Sequence, residues 1–215
     1  MNSPVKIAAP RTDDTFPEID IITMLEDEAH LRVGIIEDCE IANVTIEKLS
    51  LDKLIFKQTS FVNVAFPNVE MTDIVFEKCD LSNVEFSDGI FHRVEMKQSK
   101  LIGANFSGSF MRNIVFDSCL ADMAMFGFTN QKYVRYSDTS MNQVDFCESE
   151  LKHTEMDNCR MNQANFGGTH LSGIDLRSSH FDQLTISVEK ITGCIVTPNQ
   201  AVGFARAVGL IVPED

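Results

Sequence analysis

Apolar residues recur along this chain at every fifth position. Stepping by five from Leu31 to Val196 visits 34 residues, and only Gln131 among them is polar. Twelve of the 16 phenylalanines fall in this register. A second register, two residues earlier, runs from Gly34 to Cys194 and holds Gly, Ala, Ser, Thr, Cys or Val at 26 of its 33 positions. The rule is small–x–large–x–x. A helix repeats every 3.6 residues and a strand every 2.0, so neither accounts for a period of five. Two inward residues in five suit a chain that turns a corner every five residues. The flanks lack the pattern. Residues 1–15 read as a flexible arm. Residues 16–30, with Phe16, Ile19, Ile21, Ile22, Met24 and Leu25, are apolar enough to cap a first coil. In 197–215, Thr197 suits an N-cap and Pro198 the first helical position. Ala201, Val202, Phe204, Ala205 and Val208 make an apolar helical face, and Gly209 is placed to stop the helix. Leu210, Ile211 and Val212 then read as a short strand ended by Pro213.

The units Ala104-Asn105-Phe106 and Ala164-Asn165-Phe166 carry the rule most plainly. Over 31–196 the chain resembles the pentapeptide-repeat family. That resemblance implies an all-β solenoid, a right-handed quadrilateral β-helix with four five-residue units per coil, here about eight coils with a short C-terminal helix. Twenty residues per turn can be tested on the sequence. Every twentieth residue from Phe66 to Phe166 is Phe, six in a row. Another column reads Cys39, Thr59, Cys79, Ser99, Cys119, Thr139, Cys159, Ser179. A third begins Asn43, Asn63, Asn83 and ends Gln143, Gln163, Gln183. Such ladders make sense if residues 20 apart sit one strand spacing apart, about 4.8 Å.

Composition narrows the function. The chain has 215 residues, 32 acidic and 18 basic, for a net charge of −14. That excludes a non-specific nucleic-acid binder. No window approaches the roughly 18 apolar residues of a membrane span. No signal-peptide pattern opens the sequence, and the six cysteines form no CxxC, so free thiols and a cytoplasmic location are expected. Cys39 and Cys79 are two coils apart, about 9.6 Å, too far for a disulfide. No histidine pair has metal-ligand spacing, and no Ser-His-Asp or Cys-His set can be assembled. A rod filled by its own side chains offers no concave pocket. The expectation is a non-enzyme with no metal and no cofactor.

Charge is uneven over the four faces. The coil surface nets about −7, yet the face of Met71 and Phe91 is basic, with seven bases against four acids. One row alternates in sign, Glu37, Lys57, Glu77, Lys97 and Asp117, and reads as a salt-bridge ladder. Acids without such partners are candidates for binding: Glu85, Asp88, Asp145 and Glu148 on one face, and Asp138, Glu155, Asp157 and Asp175 on another. Residues 120–133 break the rule, with Ala121 and Gln131 at large-residue positions. Leu120, Met123, Met125, Phe128 and Tyr133 take outward positions there. Either a local distortion folds them back or they form an apolar patch for a partner.

Closer resemblance lies in the stretches Leu25-Glu26-Asp27-Glu28-Ala29, Phe91-His92-Arg93-Val94 and Val196-Thr197-Pro198-Asn199-Gln200-Ala201, with Ala207, Gly209 and Leu210. These resemble the quinolone-resistance (Qnr-type) pentapeptide proteins of Gram-positive bacteria. What that implies is a homodimeric rod that imitates duplex DNA, binds DNA gyrase or topoisomerase IV and protects it from fluoroquinolones, with no direct nucleic-acid binding. The dimer would form through the C-terminal segment, using Ala201, Val202, Phe204, Ala205, Val208, Leu210, Ile211 and Val212. The five-residue register runs without insertion, so an acidic rod without loops is the form expected. The other reading is an interaction module for a different partner, through 120–133.

Overall fold

In the computed structural model every fifth residue from Val33 to Gly173 turns a left-handed corner. Among the described residues twenty-five non-glycine residues have positive φ, from Val33 and Asp38 to Asn158 and Gln163, and all occupy the second position after a large inward residue. Even Val33 (φ 53°), Phe128 (59°) and Tyr133 (61°) adopt it. A left-handed corner costs about 1–2 kcal/mol for a residue with a Cβ. Burying the large residue of each unit stabilises by about 1.5–3 kcal/mol, and each ladder hydrogen bond adds about 1 kcal/mol. Burial therefore outweighs the corner, provided the neighbouring coils are present.

The structure describes residues 5–21, 24 and 30–213. They form a β-solenoid of about 8 coils. Seven strands stack in parallel as one sheet: β1 (His30–Glu37), β3 (Ser50–Lys57), β5 (Glu70–Glu77), β6 (Ile90–Lys97), β7 (Phe110–Asp117), β8 (Asn130–Ser137) and β9 (Glu150–Asp157). Each residue pairs with the one 20 ahead, as Phe76 with Met96 and Met96 with Phe116. On the other two sides β2 (Glu40–Thr45) pairs with β4 (Ser60–Ala65), and β10 (Ala164–Phe166) with β11 (Leu184–Ile186). Isolated bridges such as Glu85↔Asn105 and Met125↔Asp145 carry the 20-residue spacing between them.

The core is the predicted stack of rings. Phe86, Phe106, Phe126, Phe146 and Phe166 follow one another at centroid spacings of 5.2, 5.0, 5.2 and 5.2 Å. Small inward residues satisfy their own polarity. Ser109, Ser149 and Thr169 donate to the carbonyls of Phe86, Phe126 and Phe146 at 3.1, 2.7 and 2.6 Å. Cys79 and Cys119 do the same with Phe56 and Met96, and burial pushes both thiols up to about 11. Gln131 is fully buried, its amide donating to Thr129 and its carbonyl accepting from Tyr136 Oη, both at 3.1 Å. The amide column is bonded at Asn63–Asn43 (2.9 Å) and Gln143–Gln163 (2.8 Å).

The ends depart from the sequence reading. Residues 5–12 are not a free arm. They run as a strap along the rod, against the direction of coiling. Three backbone amides, every third one, donate to side chains about two coils apart: Arg11 to Asp73 (2.9 Å), Ala8 to Asn113 (3.2 Å) and Val5 to Glu155 (2.6 Å), with Glu155 two residues past the column of the other two acceptors. Three extended residues advance about 9.3 Å, and two coils about 9.6 Å, so donors and acceptors stay in step. Beyond the strap, Ile19 N donates to Ile35 O (2.9 Å) and Ile35 N to Pro17 O (2.8 Å) at the edge of the first coil, and Ile19, Ile21 and Met24 pack on the core. The space for Ile19 exists because residue 34 is Gly; a Cβ there would lie 2.6 Å from the Ile19 side chain. Ile22 and residues 25–29 lie outside the described residues.

At the other end, α1 (Pro198–Ala207) starts with Thr197 and Gln200 capping each other. Gln200 also donates to the carbonyls of Leu176 and Ser179, at 2.7 and 2.8 Å. Phe204 packs on Phe181. Gly209 stops the helix at φ 87°. No strand follows: residues 210–212 are irregular, and the backbone bonds there run back to the helix, Gly209 N to Arg206 O and Leu210 N to Ala205 O, both at 3.0 Å.

Candidate protein-interaction surface

Columns 20 residues apart define each face. One face carries the column Glu85, Asn105, Met125, Asp145, Asn165, joined step by step through parallel bridges. Beside it runs the corner column Asp88, Gly108, Phe128, Glu148, Gly168, every member left-handed. The acids Glu85, Asp88, Asp145 and Glu148 therefore share a face with Met125 and Phe128. These residues were read separately in the sequence as an acidic set and an apolar set; the fold makes them one surface. Phe128 is 68% exposed and Met125 39%. The carboxylates are held in place. Glu85 accepts from Asn105 Nδ2 at 2.8 Å and from Ser87 N at 2.9 Å. Asp145 accepts from Asn165 Nδ2 and Cys147 N, both at 2.9 Å. Asp88 and Glu148 lie against Gly108 and Gly168, where a Cβ would come within 2.3 and 2.5 Å of them. Neither glycine can be replaced without moving the acid.

The rest of the outward apolar group is arranged as a girdle. Leu120, Met123, Met125 and Phe128 are exposed at successive positions around a single coil, and the register through them is unbroken. They do not fold back. Tyr133 differs: it is half-buried and stacks on His153 at 4.9 Å. Sequence reasoning overlooked two further members. Ile90 and Phe110 are 49% and 60% exposed, directly paired on adjacent strands, and one column beyond Phe128. Their outward position in the five-residue rule was the signal.

The second acidic set is not brought together as free charge. Glu155 is bound by Arg135 at 2.7 Å and by the strap. Asp175 is bound by Arg177 at 2.6 Å, and that hydrogen bond holds its carboxyl below the usual range. Asp138 accepts from Asn158. Among the described residues Asp157 has no ion pair. The alternating row does not pair along its length either. Lys57 reaches Asp14, Lys78 reaches Glu77, and Lys97 reaches Glu95, because neighbours in the same coil or the N-terminal segment lie closer.

The strap face has its own charged centre. Asp73, with a side chain 2% exposed, is clamped by Arg93. Burial opposes its ionisation, but the Arg93 hydrogen bond, the Arg11 amide and both guanidinium charges together keep its carboxyl below the usual range. Burial and the adjacent Arg93 charge lower the His92 imidazole. In the C-terminal segment Val202 and Val208 are each 37% exposed, Leu210 61% and Ile211 94%. Phe204 is turned to the coil, and Ala201 is exposed. Among the described residues no His, Cys, Asp and Glu cluster could hold a metal ion, and no helix is long and apolar enough to cross a membrane.

One expectation fails outright. The rod is not free of cavities: a cleft of about 1170 Å³ opens beside β9, lined among others by Leu151, Thr154, Met156, Ile174 and Asp175.

Residues 89–166 match a family described as pentapeptide repeat region. YisX of Bacillus subtilis (strain 168), an uncharacterised protein, is 34% identical over 71 residues, which are 33% of this chain and 34% of that protein. The alignment thus spans about a third of that relative's length. Among solved structures, HetL, a pentapeptide repeat protein involved in heterocyst differentiation regulation from the cyanobacterium Nostoc sp. strain PCC 7120, superposes with a TM-score of 0.58. Its identity is 14%, over 82% of this chain and 89% of that one. A trypsin-treated form of QnrB1, a plasmid-mediated fluoroquinolone resistance protein, gives 0.42 at 17% identity, over 84% and 100%. At 14% identity the likeness to HetL shows the fold.

Proposed function

We propose, from the premise that this chain is a pentapeptide-repeat protein, that it is a non-catalytic interaction module that docks on the DNA-binding surface of a type II topoisomerase, gyrase or topoisomerase IV, and relieves fluoroquinolone poisoning. The observation that carries the reading is the single face holding Glu85, Asp88, Asp145 and Glu148 around Met125 and Phe128. An apolar centre with a charged rim is the anatomy of a protein interface. Carboxylates fixed by hydrogen bonds meet a basic surface without first losing side-chain freedom. The C-terminal segment supplies a homodimer contact through Leu210 and Ile211, with Val202 and Val208 beside them, and two-fold pairing there lengthens the rod.

Charge density sets the limits of DNA imitation. Forty ångströms of duplex carry roughly 24 phosphate charges, whereas the coil surface nets about −7. The mimicry is of shape and of selected carboxylates, with apolar contact making up the difference.

The test is a gyrase supercoiling assay with ciprofloxacin, with and without this protein. Protection or salt-sensitive inhibition at micromolar concentration is expected. The variant carrying E85K, D88K, D145K and E148K is expected to lose it. Absence of both protection and inhibition with the parent protein overturns the reading. Exposure of Ile90, Phe110 and Phe128 as one strip supports a second reading, another protein partner held by apolar contact. Under that reading Phe128→Ser abolishes binding and the charge reversals do not.

A further inference from the structure

The seven-stranded ladder ends at β9, although the chain goes on to make another coil. Residues 170–178 bond forward: Leu171 N to Lys190 O (2.9 Å), Gly173 N to Gly193 O (3.0 Å) and Leu176 N to Ile195 O (2.9 Å). Among the described residues no backbone hydrogen bond joins them back to β9. On the remaining sides the same coils are closed, through His180 N to Cys159 O (2.8 Å), Gln163 N to Gln183 O (2.8 Å) and the β10–β11 pair. The rod is therefore wedged open along two sides at one level. In earlier coils the amides of the large inward residue and of the corner residue donate to the next coil, as Phe66 to Glu85 and Asn68 to Ser87. The equivalent amides of Leu151, His153 and Met156 face the cleft with no such acceptor.

Two side chains mark the same gap. Leu151 is half-buried, while its column neighbours Leu51, Met71, Phe91 and Met111 are 1–3% exposed. Thr154 occupies a column filled from β3 to β8 by Leu54, Ile74, Val94, Ile114 and Val134. Its residue is 6% exposed, and its Oγ1 is a buried side-chain oxygen with no hydrogen-bond partner. Elsewhere the inward hydroxyls are satisfied by the preceding coil. A buried orphan hydroxyl costs about 1–3 kcal/mol, and a ligand that pairs it recovers that cost.

We propose that this cleft takes one extended peptide segment of a partner protein, added as a parallel strand between β9 and residues 170–178. Strand addition satisfies the open edge through main-chain bonds, and side-chain pockets choose the sequence. In-register stacking spells that sequence over seven residues. Positions one and six are apolar, stacking on Leu151 and Met156. Position three is Asn or Gly, because the chain turns a left-handed corner at His153 (φ 54°). Position four is Ser or Thr, pairing Thr154 Oγ1. Position seven is Lys or Arg, because it lies beside Asp157, which has no ion pair among the described residues while Glu155 and Asp175 are matched by Arg135 and Arg177.

The full-length protein is titrated with a fluorescent peptide of the form apolar–x–Asn–Ser–x–apolar–Lys, read by anisotropy, with amide exchange in parallel. Saturable binding is expected, with the Leu151, His153 and Met156 amides fast in the free protein and protected in the complex. Thr154→Val puts the residue of Val94 and Val134 into that column, so the coil still forms, and is expected to weaken binding about tenfold. Asp157→Lys is expected to weaken the Lys peptide and favour a peptide with Glu at position seven. Equal binding of a scrambled peptide, indifference to both variants, or protection of the three amides in the free protein would overturn the proposal.

Discussion

Each unit combines an inexpensive outward residue with an inward one that must be right. The ring stack shows where the energy lies. Phe126 is fully buried, with Phe106 and Phe146 at 5.0 and 5.2 Å on either side. Phe126→Ala is expected to lose about 3–5 kcal/mol in urea unfolding, while an outward change such as Gln143→Ala stays within about 0.5 kcal/mol. At this scale the sequence was highly legible, because the two registers name nearly every core residue. The left-handed corners were not. Asn and Asp at many of them hint at φ > 0, but Val33, Phe128 and Tyr133 do not. Their conformation is imposed by the coils above and below. Gln131 looked like a defect for the same reason; its partners Thr129 and Tyr136 become neighbours only in the folded coil.

At the scale of elements, the strap is what sequence could not supply. Its acceptors Asp73, Asn113 and Glu155 lie 62 to 150 residues away, and nothing local in 5–12 announces them. Asp73 anchors it, and the sign of its titration is defined. Its carboxyl is depressed in the folded state, so the stabilisation is complete above the usual carboxylate value of about 4 and fades as pH falls through the lower folded value. Exchange of the Arg11 amide is therefore expected to accelerate below about pH 4, ahead of the ring-stack amides. Asp73→Asn is expected to release that amide at neutral pH and cost about 3 kcal/mol, because Arg93 loses its partner in a largely buried site. The C-terminal helix, by contrast, was readable from Thr197, Pro198 and Gly209, since caps are local signals. The strand after it was misread because apolar composition alone cannot provide a pairing edge.

At the scale of the molecule, eight coils at about 4.8 Å make a rod of about 40 Å. Two surfaces on it differ in kind: an acidic face with an apolar strip, and a cleft that interrupts the sheet. The first could be assembled from the five-residue arithmetic once columns were drawn. The second could not, since Thr154 obeys the small-residue rule and its isolation is visible only in three dimensions. The proposed dimer belongs to this scale as well. With Ile211 94% exposed, Ile211→Asp is expected to raise the dimer dissociation constant at least about tenfold in sedimentation equilibrium, without changing the melting of the coils.

The strap works as a vernier against the rod. Two coils match three strap residues, so one coil corresponds to one and a half. Deleting twenty residues between Asp73 and Glu155 would leave every column intact yet throw the amide donors half a step out of phase. Deleting forty, together with three residues of the strap, would restore the match. Coil number on this face is thus counted by a second, independent scale, and whole coils can be gained or lost only in pairs if the strap is to stay seated.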